Sequence, residues 1–277
     1  MASINNLEKF KARIASGQVC VGTAITFGDP AVSELYGDAG YDFTWIDMEH
    51  GPFDLPAALG HIMAARGTDL APFVRVPAND PVLIKPVLDL VPAAIIVPMI
   101  KTPQDAAQAV RACRYPPRGI RGYSPRRGTK FGGIPQAQYL ESADEQTLVL
   151  IQIEQIEAVQ HIDVILQTPG LDGICLGPND LSGSLGKLGR TTDPEVVAAI
   201  DTVMRKARQT DLLLGVATGY DPKTVQAWLE KGIQWICLNT DYSNMYQHSR
   251  LVLEGVRQVE KGRRANAAHP PLASAPS

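Results

Sequence analysis

The chain has 277 residues, 45% of them hydrophobic, with 26 basic against 29 acidic side chains and a formal charge of -3. That length suits one α/β barrel domain of about 250 residues, and the near balance of charge leaves no field that would gather nucleic acid or an acidic membrane. A small-molecule function is expected, and no run is long and apolar enough for a membrane span.

In chain order, Met1 to Gln18 reads as a short polar helix carrying Glu8, Lys9, Lys11 and Arg13, without the apolar core of a signal peptide. Thereafter short apolar or β-branched runs alternate with amphipathic helical patterns, the signature of parallel βα units. The predicted strands are Val19–Thr26, Phe43–Met48, Ala71–Pro77, Ala93–Ile100, Leu148–Glu154, Asp172–Pro178, Leu212–Thr218 and Trp235–Asp241. The helices between them are Ala31–Ala39, Leu55–Arg66, Pro81–Val91, Gln104–Arg114, Glu157–Gln167, Glu195–Thr210, Lys223–Lys231 and Met245–Lys261. Eight units with continuously hydrophobic strands predict a closed (β/α)8 TIM barrel over an open doubly wound sheet. Phe27-Gly28-Asp29-Pro30, after the first strand, is not the glycine-rich turn of a nucleotide site.

Two segments break the pattern. Tyr115 to Thr147 is rich in Gly, Pro and Arg and too long for an ordinary connection, which predicts a functional loop with some helix of its own. Gly262 to Ser277 is dominated by Ala, Pro and Ser, so the expectation is one barrel domain over residues 1–261 and a disordered tail over 262–277. Cys20, Cys113, Cys175 and Cys237 are widely spaced with no CxxC pair, and read as buried free thiols in a reducing cytoplasm.

Catalytic residues of such a barrel gather where strands end and loops begin. The second strand ends in Asp47-Met48-Glu49-His50-Gly51-Pro52, the third carries Arg75, the fifth ends Gln152-Ile153-Glu154, and the sixth closes as Gly177-Pro178-Asn179-Asp180-Leu181-Ser182. Glu154 and Asp180, at neighbouring strand mouths, suit one divalent cation held through oxygen, with positions left for water and a bidentate ligand; the bland reading is two solvated or helix-capping acids. Hard oxygen ligands point to Mg²⁺ or Mn²⁺ over a structural zinc. His50 lies three residues beyond Asp47, where the carboxylate can orient the imidazole for proton transfer, although a loop histidine is more often ordinary surface. Arg75 calls for an anion: a substrate carboxylate or enolate oxygen, or an internal partner in Asp47 or Glu49.

With these residues placed, the chain resembles the HpcH/HpaI aldolases, the metal-dependent class II pyruvate aldolases that include 4-hydroxy-2-oxoheptanedioate aldolase. The likeness runs from Gly22-Thr23 to Leu238-Asn239-Thr240-Asp241. Its most specific parts are Ile46-Asp47-Met48-Glu49-His50, Val74-Arg75-Val76-Pro77, Val97-Pro98-Met99, Gln152-Ile153-Glu154 and Gly177 to Ser182. The resemblance implies that Glu154 and Asp180 hold the ion, Mg²⁺ or Mn²⁺ with Co²⁺ as a further choice, and that Arg75 and Gln152 contact a 2-keto acid. It implies that His50, paired with Asp47, acts as the acid–base group through a water on the ion. It also implies a last helix swapped between subunits of a hexamer built as a trimer of dimers, with Asp89 reaching a neighbouring active site. The expected partners are a small 2-keto acid and an aldehyde; neither nucleic acid nor membrane is expected. The chain departs from the family pattern at Val91-Pro92 and at Asn179, where a small residue is usual. An amide there adds a hydrogen bond to a substrate carboxylate or narrows the pocket. The basic loop Arg121 to Gly128 matches either a second carboxylate on the acceptor or a solvated charge cluster.

Three rival readings follow. A Schiff-base aldolase needs an amine at a strand mouth, for which Lys101 is the candidate. A macrophomate synthase-like enzyme or oxaloacetate decarboxylase would use the same residues on oxaloacetate, with Tyr139 as a conceivable helper or simply a rim-packing ring. A non-catalytic barrel kept for binding has no physical reason to retain several converging charges.

Overall fold

The computed structural model describes residues 4–268; Met1 to Ser3 and the expected tail from 269 to 277 lie outside the described residues. Eight strands form: β1 (Cys20–Ile25), β2 (Phe43–Asp47), β3 (Ala71–Arg75), β4 (Ala94–Val97), β5 (Leu148–Ile153), β6 (Gly173–Leu176), β7 (Leu213–Thr218) and β8 (Trp235–Thr240). Each pairs in parallel with the next and β8 closes on β1, which gives the expected barrel.

The helices are α1 (Leu7–Ala15), α2 (Ala31–Asp38), α3 (Leu55–Ala64), α4 (Pro81–Asp89), α5 (Pro103–Cys113), α6 (Gln136–Ser142), α7 (Ile156–Gln160), α8 (Ile162–Ile165), α9 (Pro178–Ser184), α10 (Pro194–Ala207), α11 (Pro222–Glu230) and α12 (Asp241–Ala268). Local chemistry explains where several start. Asp54, Asp80, Asp193 and Asp221 each accept a first-turn backbone N–H, Thr102 and Asp105 form a capping box, and all five helices carry proline at one of their first two positions. Proline there sacrifices no helical hydrogen bond, because the N–H it lacks would have been unpaired.

Two packed layers result. Outward-facing strand residues such as Val74, Ile151 and Ile236 meet the helices, while Phe43, Phe73, Trp45 and Trp235 fill the barrel. Leu7 and Phe10 of α1 plug its lower end, the Phe10 ring standing 4.9 Å from Phe73. Register sets small beside large inside: Gly215 pairs with Trp235 and Gly22 with Phe43. A Cβ on either glycine would fall within 2.4 Å of the neighbouring ring.

The structure departs from the sequence expectation in several places. The predicted helix Glu157–Gln167 is broken at His161 into α7 and α8, and α9 follows β6 directly. The strand predictions overrun at Met48, Pro77, Ile100, Glu154, Pro178 and Asp241; Ile100, Glu154, Pro178 and Asp241 are as buried as the strands before them, while Met48 is half-buried and Pro77 exposed. α12 starts at Asp241 and continues to Ala268, so the helix carries on through Gly262, where a disordered tail was expected to begin. Tyr115 to Thr147 does carry a helix, α6, but the segment sits where strands begin. Arg127 donates to the Leu90 carbonyl and Thr147 to that of Pro92, both just before β4, on the side away from the chain's own strand mouths.

With 28 residues, α12 is about 42 Å long. Leu251, Val252, Leu253, Val256 and Val259 along it are exposed. On the outer side of β1 and β8 an open groove of about 420 Å³ is lined by Val21, Tyr41 and Leu238. Among the described residues no helix is long and apolar enough to cross a membrane.

Candidate active site

Parallel pairing sets Asp47 directly beside Arg75 at the ends of β2 and β3. Their side chains meet twice, Arg75 Nε to Asp47 Oδ1 at 2.9 Å and Nη2 to Oδ2 at 2.5 Å, with Arg75 only 9% exposed. Arg75 Nη1 donates to Gln152 Oε1 at 3.2 Å and stands 2.8 Å from Glu49 Oε2, an ionic contact whose geometry does not make a hydrogen bond. The guanidinium lies 5.3 Å above the Trp45 ring. Burial alone would lower its pKa; the hydrogen bonds to Asp47 and the charges of Asp47, Glu49 and Glu154 outweigh burial, and the net displacement is upward. The internal pairing left open by the sequence is thus formed, with both Asp47 and Glu49, while Arg75 still lines the cleft.

Glu154 follows β5 and is 2% exposed. Its Oε1 accepts the Met99 N–H at 2.7 Å, and its Oε2 accepts from Gln152 Nε2 at 2.8 Å. Met99, at a left-handed φ of 59°, aims that amide at the carboxylate. Burial pushes the Glu154 pKa up to about 7; the Met99 N–H and Arg75 oppose this, and the negative charges of Asp180 and Glu49 add to it. Glu49 is likewise raised by burial, with Asp47 and Asp180 adding to it and Arg75 and His50 opposing. Asp180, in the first turn of α9 after β6, is exposed in the cleft. Its negative charge is among those that raise the Glu154 pKa, and the strands that lead to the two acids are neighbours.

The donor set fits a divalent cation. Each Glu154 oxygen accepts one hydrogen bond and keeps a lone pair. The Asp180 carboxylate accepts no hydrogen bond among the described residues, and the mutual repulsion would be relieved by a positive ion. Among the described residues no group of three or more His, Cys, Asp or Glu is placed to hold a metal ion. Two carboxylates cannot close a structural site, and they leave room for solvent and substrate. Space above Glu154 is guarded by Gly177, where a Cβ would lie 2.9 Å from Glu154 Oε2.

The remaining candidates separate. His50 lines the cleft with its side chain 69% exposed. The Asp47 carboxylate does not hold its imidazole, as the sequence suggested, but accepts the backbone N–H groups of Glu49 and His50 at 3.0 and 3.2 Å. Its other bonds go to Arg75, the near neighbour that register supplies; the nearest acid to the His50 ring is Glu49, at 3.9 Å. Asn179 shares the cleft with Asp180. Asp89 ends α4, which returns the chain to the side where strands start, and is bound there by Arg121 at 2.8 Å. It does not join its own chain's cleft. Lys101 is exposed and absent from the cleft lining, while Tyr139 is buried among Tyr115 and Tyr123. Sequence reasoning offered Glu49 only as a partner for Arg75 and gave no role to the Met99 amide, although both lie in segments it singled out as specific.

The cleft lined by Asp47, His50, Arg75, Gln152, Asn179 and Asp180 has a volume of about 860 Å³. A sequence model of the HpcH/HpaI aldolase/citrate lyase family matches residues 27–246. The chain belongs to that family. It is 36% identical over 234 residues to a 5-keto-4-deoxy-D-glucarate aldolase of Klebsiella pneumoniae subsp. pneumoniae, covering 84% of this chain and 90% of that one. An HpcH/HpaI aldolase/citrate lyase family protein from Burkholderia cenocepacia superposes with a TM-score of 0.82 at 33% identity, covering 90% of this chain and 99% of that one. Macrophomate synthase superposes at 0.78 with 25% identity, covering 94% and 91% of the two chains. The enzyme is a lyase of the aldolase kind.

Proposed function

We propose that this aldolase requires a divalent cation and forms or cleaves 4-hydroxy-2-keto acids through the enolate of pyruvate. The observation that carries the reading is the convergence of Glu154, Asp180, Arg75 and Gln152 at adjoining strand mouths. Glu154 and Asp180 would hold the ion, Mg²⁺ or Mn²⁺ with Co²⁺ a further choice; when bound, it supplies a Lewis acid that lowers the cost of charge on a keto acid losing a methyl proton. Arg75, fixed by Asp47 and Gln152, presents its positive charge to the substrate carboxylate or enolate oxygen without having to reorganise. Gln152 orients the same group, and Asn179 hydrogen-bonds at the pocket edge. His50, exposed in the cleft, is the acid–base group: it takes the methyl proton as the enolate forms and gives it to the aldehyde oxygen in condensation, and does the reverse in cleavage.

Asp89 serves the cleft of a second copy in this reading. The open groove on β1 and β8 and the exposed apolar residues of α12 support exchange of that helix between subunits of a hexamer, a trimer of dimers. Four buried free cysteines suit a cytoplasmic setting. The substrate named for the Klebsiella relative, 5-keto-4-deoxy-D-glucarate, is the first to try.

The test is exchange of pyruvate methyl protons in D₂O, followed by NMR with metal-stripped protein and after each ion is restored. Exchange should return with the ion and be lost in Glu154→Ala and Asp180→Ala. Turnover that survives a chelator, with borohydride trapping substrate on Lys101, would overturn the proposal. A second reading, favoured by the likeness to macrophomate synthase, starts the same residues from oxaloacetate. Comparing CO₂ release from oxaloacetate with aldehyde-dependent consumption of pyruvate decides between them.

A further inference from the structure

The last of the family-like motifs, Leu238-Asn239-Thr240-Asp241, has no part in the chemistry above, yet its aspartate is 3% exposed and makes four hydrogen bonds. Asp241 Oδ2 accepts the backbone N–H of Thr26 at 2.7 Å and of Phe27 at 2.8 Å; Oδ1 accepts from Thr26 Oγ1 at 2.7 Å and from the Tyr242 N–H at 2.8 Å. No cation pairs with it among the described residues. The β1–β8 ladder is already irregular between Gly22 and Ala24 and ends at Ala24 opposite Thr240. Beyond that point the carboxylate replaces the missing strand partner for the loop after β1, and also caps the first turn of α12. Thr26 and Phe27 line the cleft on one side of this junction, Tyr242 and Ser243 on the other. In a ring of eight strands β1 lies diametrically across from β5, the strand that leads to Glu154.

We propose that Asp241 is a positioning residue for the acceptor aldehyde: it fastens the loop after β1 to the start of α12, so that the two form one fixed wall facing the keto-acid site. This rests on the aldolase reading above. An ionised carboxylate is needed because all four partners are donors. An asparagine would turn its amide N–H toward at least one of them.

The experiment uses the metal-loaded, full-length protein and measures two rates: methyl-proton exchange of pyruvate alone, and aldol formation as the aldehyde is varied. Asp241→Asn should raise KM for the aldehyde by about 10- to 100-fold, the scale on which a misplaced binding wall acts, while the exchange rate stays within about twofold of wild type. Thr26→Val, which deletes one of the four bonds, should raise the same KM by a smaller factor, and the double variant should be no worse than Asp241→Asn, since the hydroxyl acts through the carboxylate. If Asp241→Asn does not fold, Thr26→Val alone decides by the same split. Exchange and aldol formation falling together, or an unchanged aldehyde KM, would overturn the proposal. Wild-type protein lacking both activities would remove the aldolase reading itself, and the proposal with it.

Discussion

Replacing Glu154 by glutamine should reverse the order of stability of two metal-free proteins as the pH is raised. A carboxyl displaced by burial from its ordinary 4.5 to about 7 carries about 3 kcal/mol, at about 1.4 kcal/mol for each tenfold in proton affinity. Because the folded state holds this proton more tightly than the unfolded chain, the contribution is fully present below about pH 4.5 and is lost as the pH rises through about 7. Glutamine has no proton to lose. It gives up an acceptor, since the amide nitrogen that replaces one carboxylate oxygen cannot accept the Met99 or Gln152 donor which that oxygen held, at a cost of about 1 kcal/mol. Chelator-treated Glu154→Gln should therefore be less stable than wild type by about 1 kcal/mol near pH 4 and more stable by about 2 kcal/mol near pH 8. Denaturant titrations at one protein concentration across that range measure the crossing. Adding Mn²⁺ at the upper end should stabilise wild type and leave the variant unmoved. Stability curves that run parallel from end to end would refute the argument.

Arg75→Lys should lower kcat/KM for the keto acid by at least about 100-fold and also destabilise the fold, because a lysine cannot reproduce the two-point contact with Asp47 and the bond to Gln152; steady-state kinetics and thermal melts measure the two losses. His50→Ala should leave stability within about 0.5 kcal/mol, the side chain being exposed, while slowing the aldol step by about 10²- to 10⁴-fold; the same two assays check it. Gly177→Ala places a methyl against the Glu154 carboxylate, so the apparent affinity for Mn²⁺, read by calorimetry, should weaken well beyond any change in melting temperature.

The barrel was legible because fully buried parallel strands leave apolar runs that only a closed sheet with helices outside can bury. Strand ends were not, since Pro98, Pro178 and Met48 continue those runs past the last ladder bond. Glu154 and Asp180 could be placed at neighbouring strand mouths because Glu154 follows β5 directly, Asp180 lies in the first turn of the helix after β6, and strands adjacent in sequence are adjacent in the barrel. The side-chain partners of Asp47 were misjudged for the opposite reason. Arg75 is 28 positions away in sequence, so the sequence left its pairing with Asp47 as one alternative, and only the register of β2 and β3 decides for it over His50. His50, near in sequence, is carried past the carboxylate by the tight turn that the same carboxylate holds through backbone N–H groups. The side on which the long segment lies follows from chain direction, since a connection leaving α5 must return to where β5 begins.

The ring of strand ends is divided chemically. Asp47, Arg75, Gln152 and Glu154, on one arc, are chained by direct bonds, while Thr26, Thr218, Thr240 and Ser243 present uncharged groups on the other. Where the acceptor rests on the uncharged arc, as proposed above, single substitutions there change which acceptor fits. Such substitutions leave the bonded arc of Asp47, Arg75, Gln152 and Glu154 untouched, so a change of substrate need not pass through a loss of the proton and enolate chemistry.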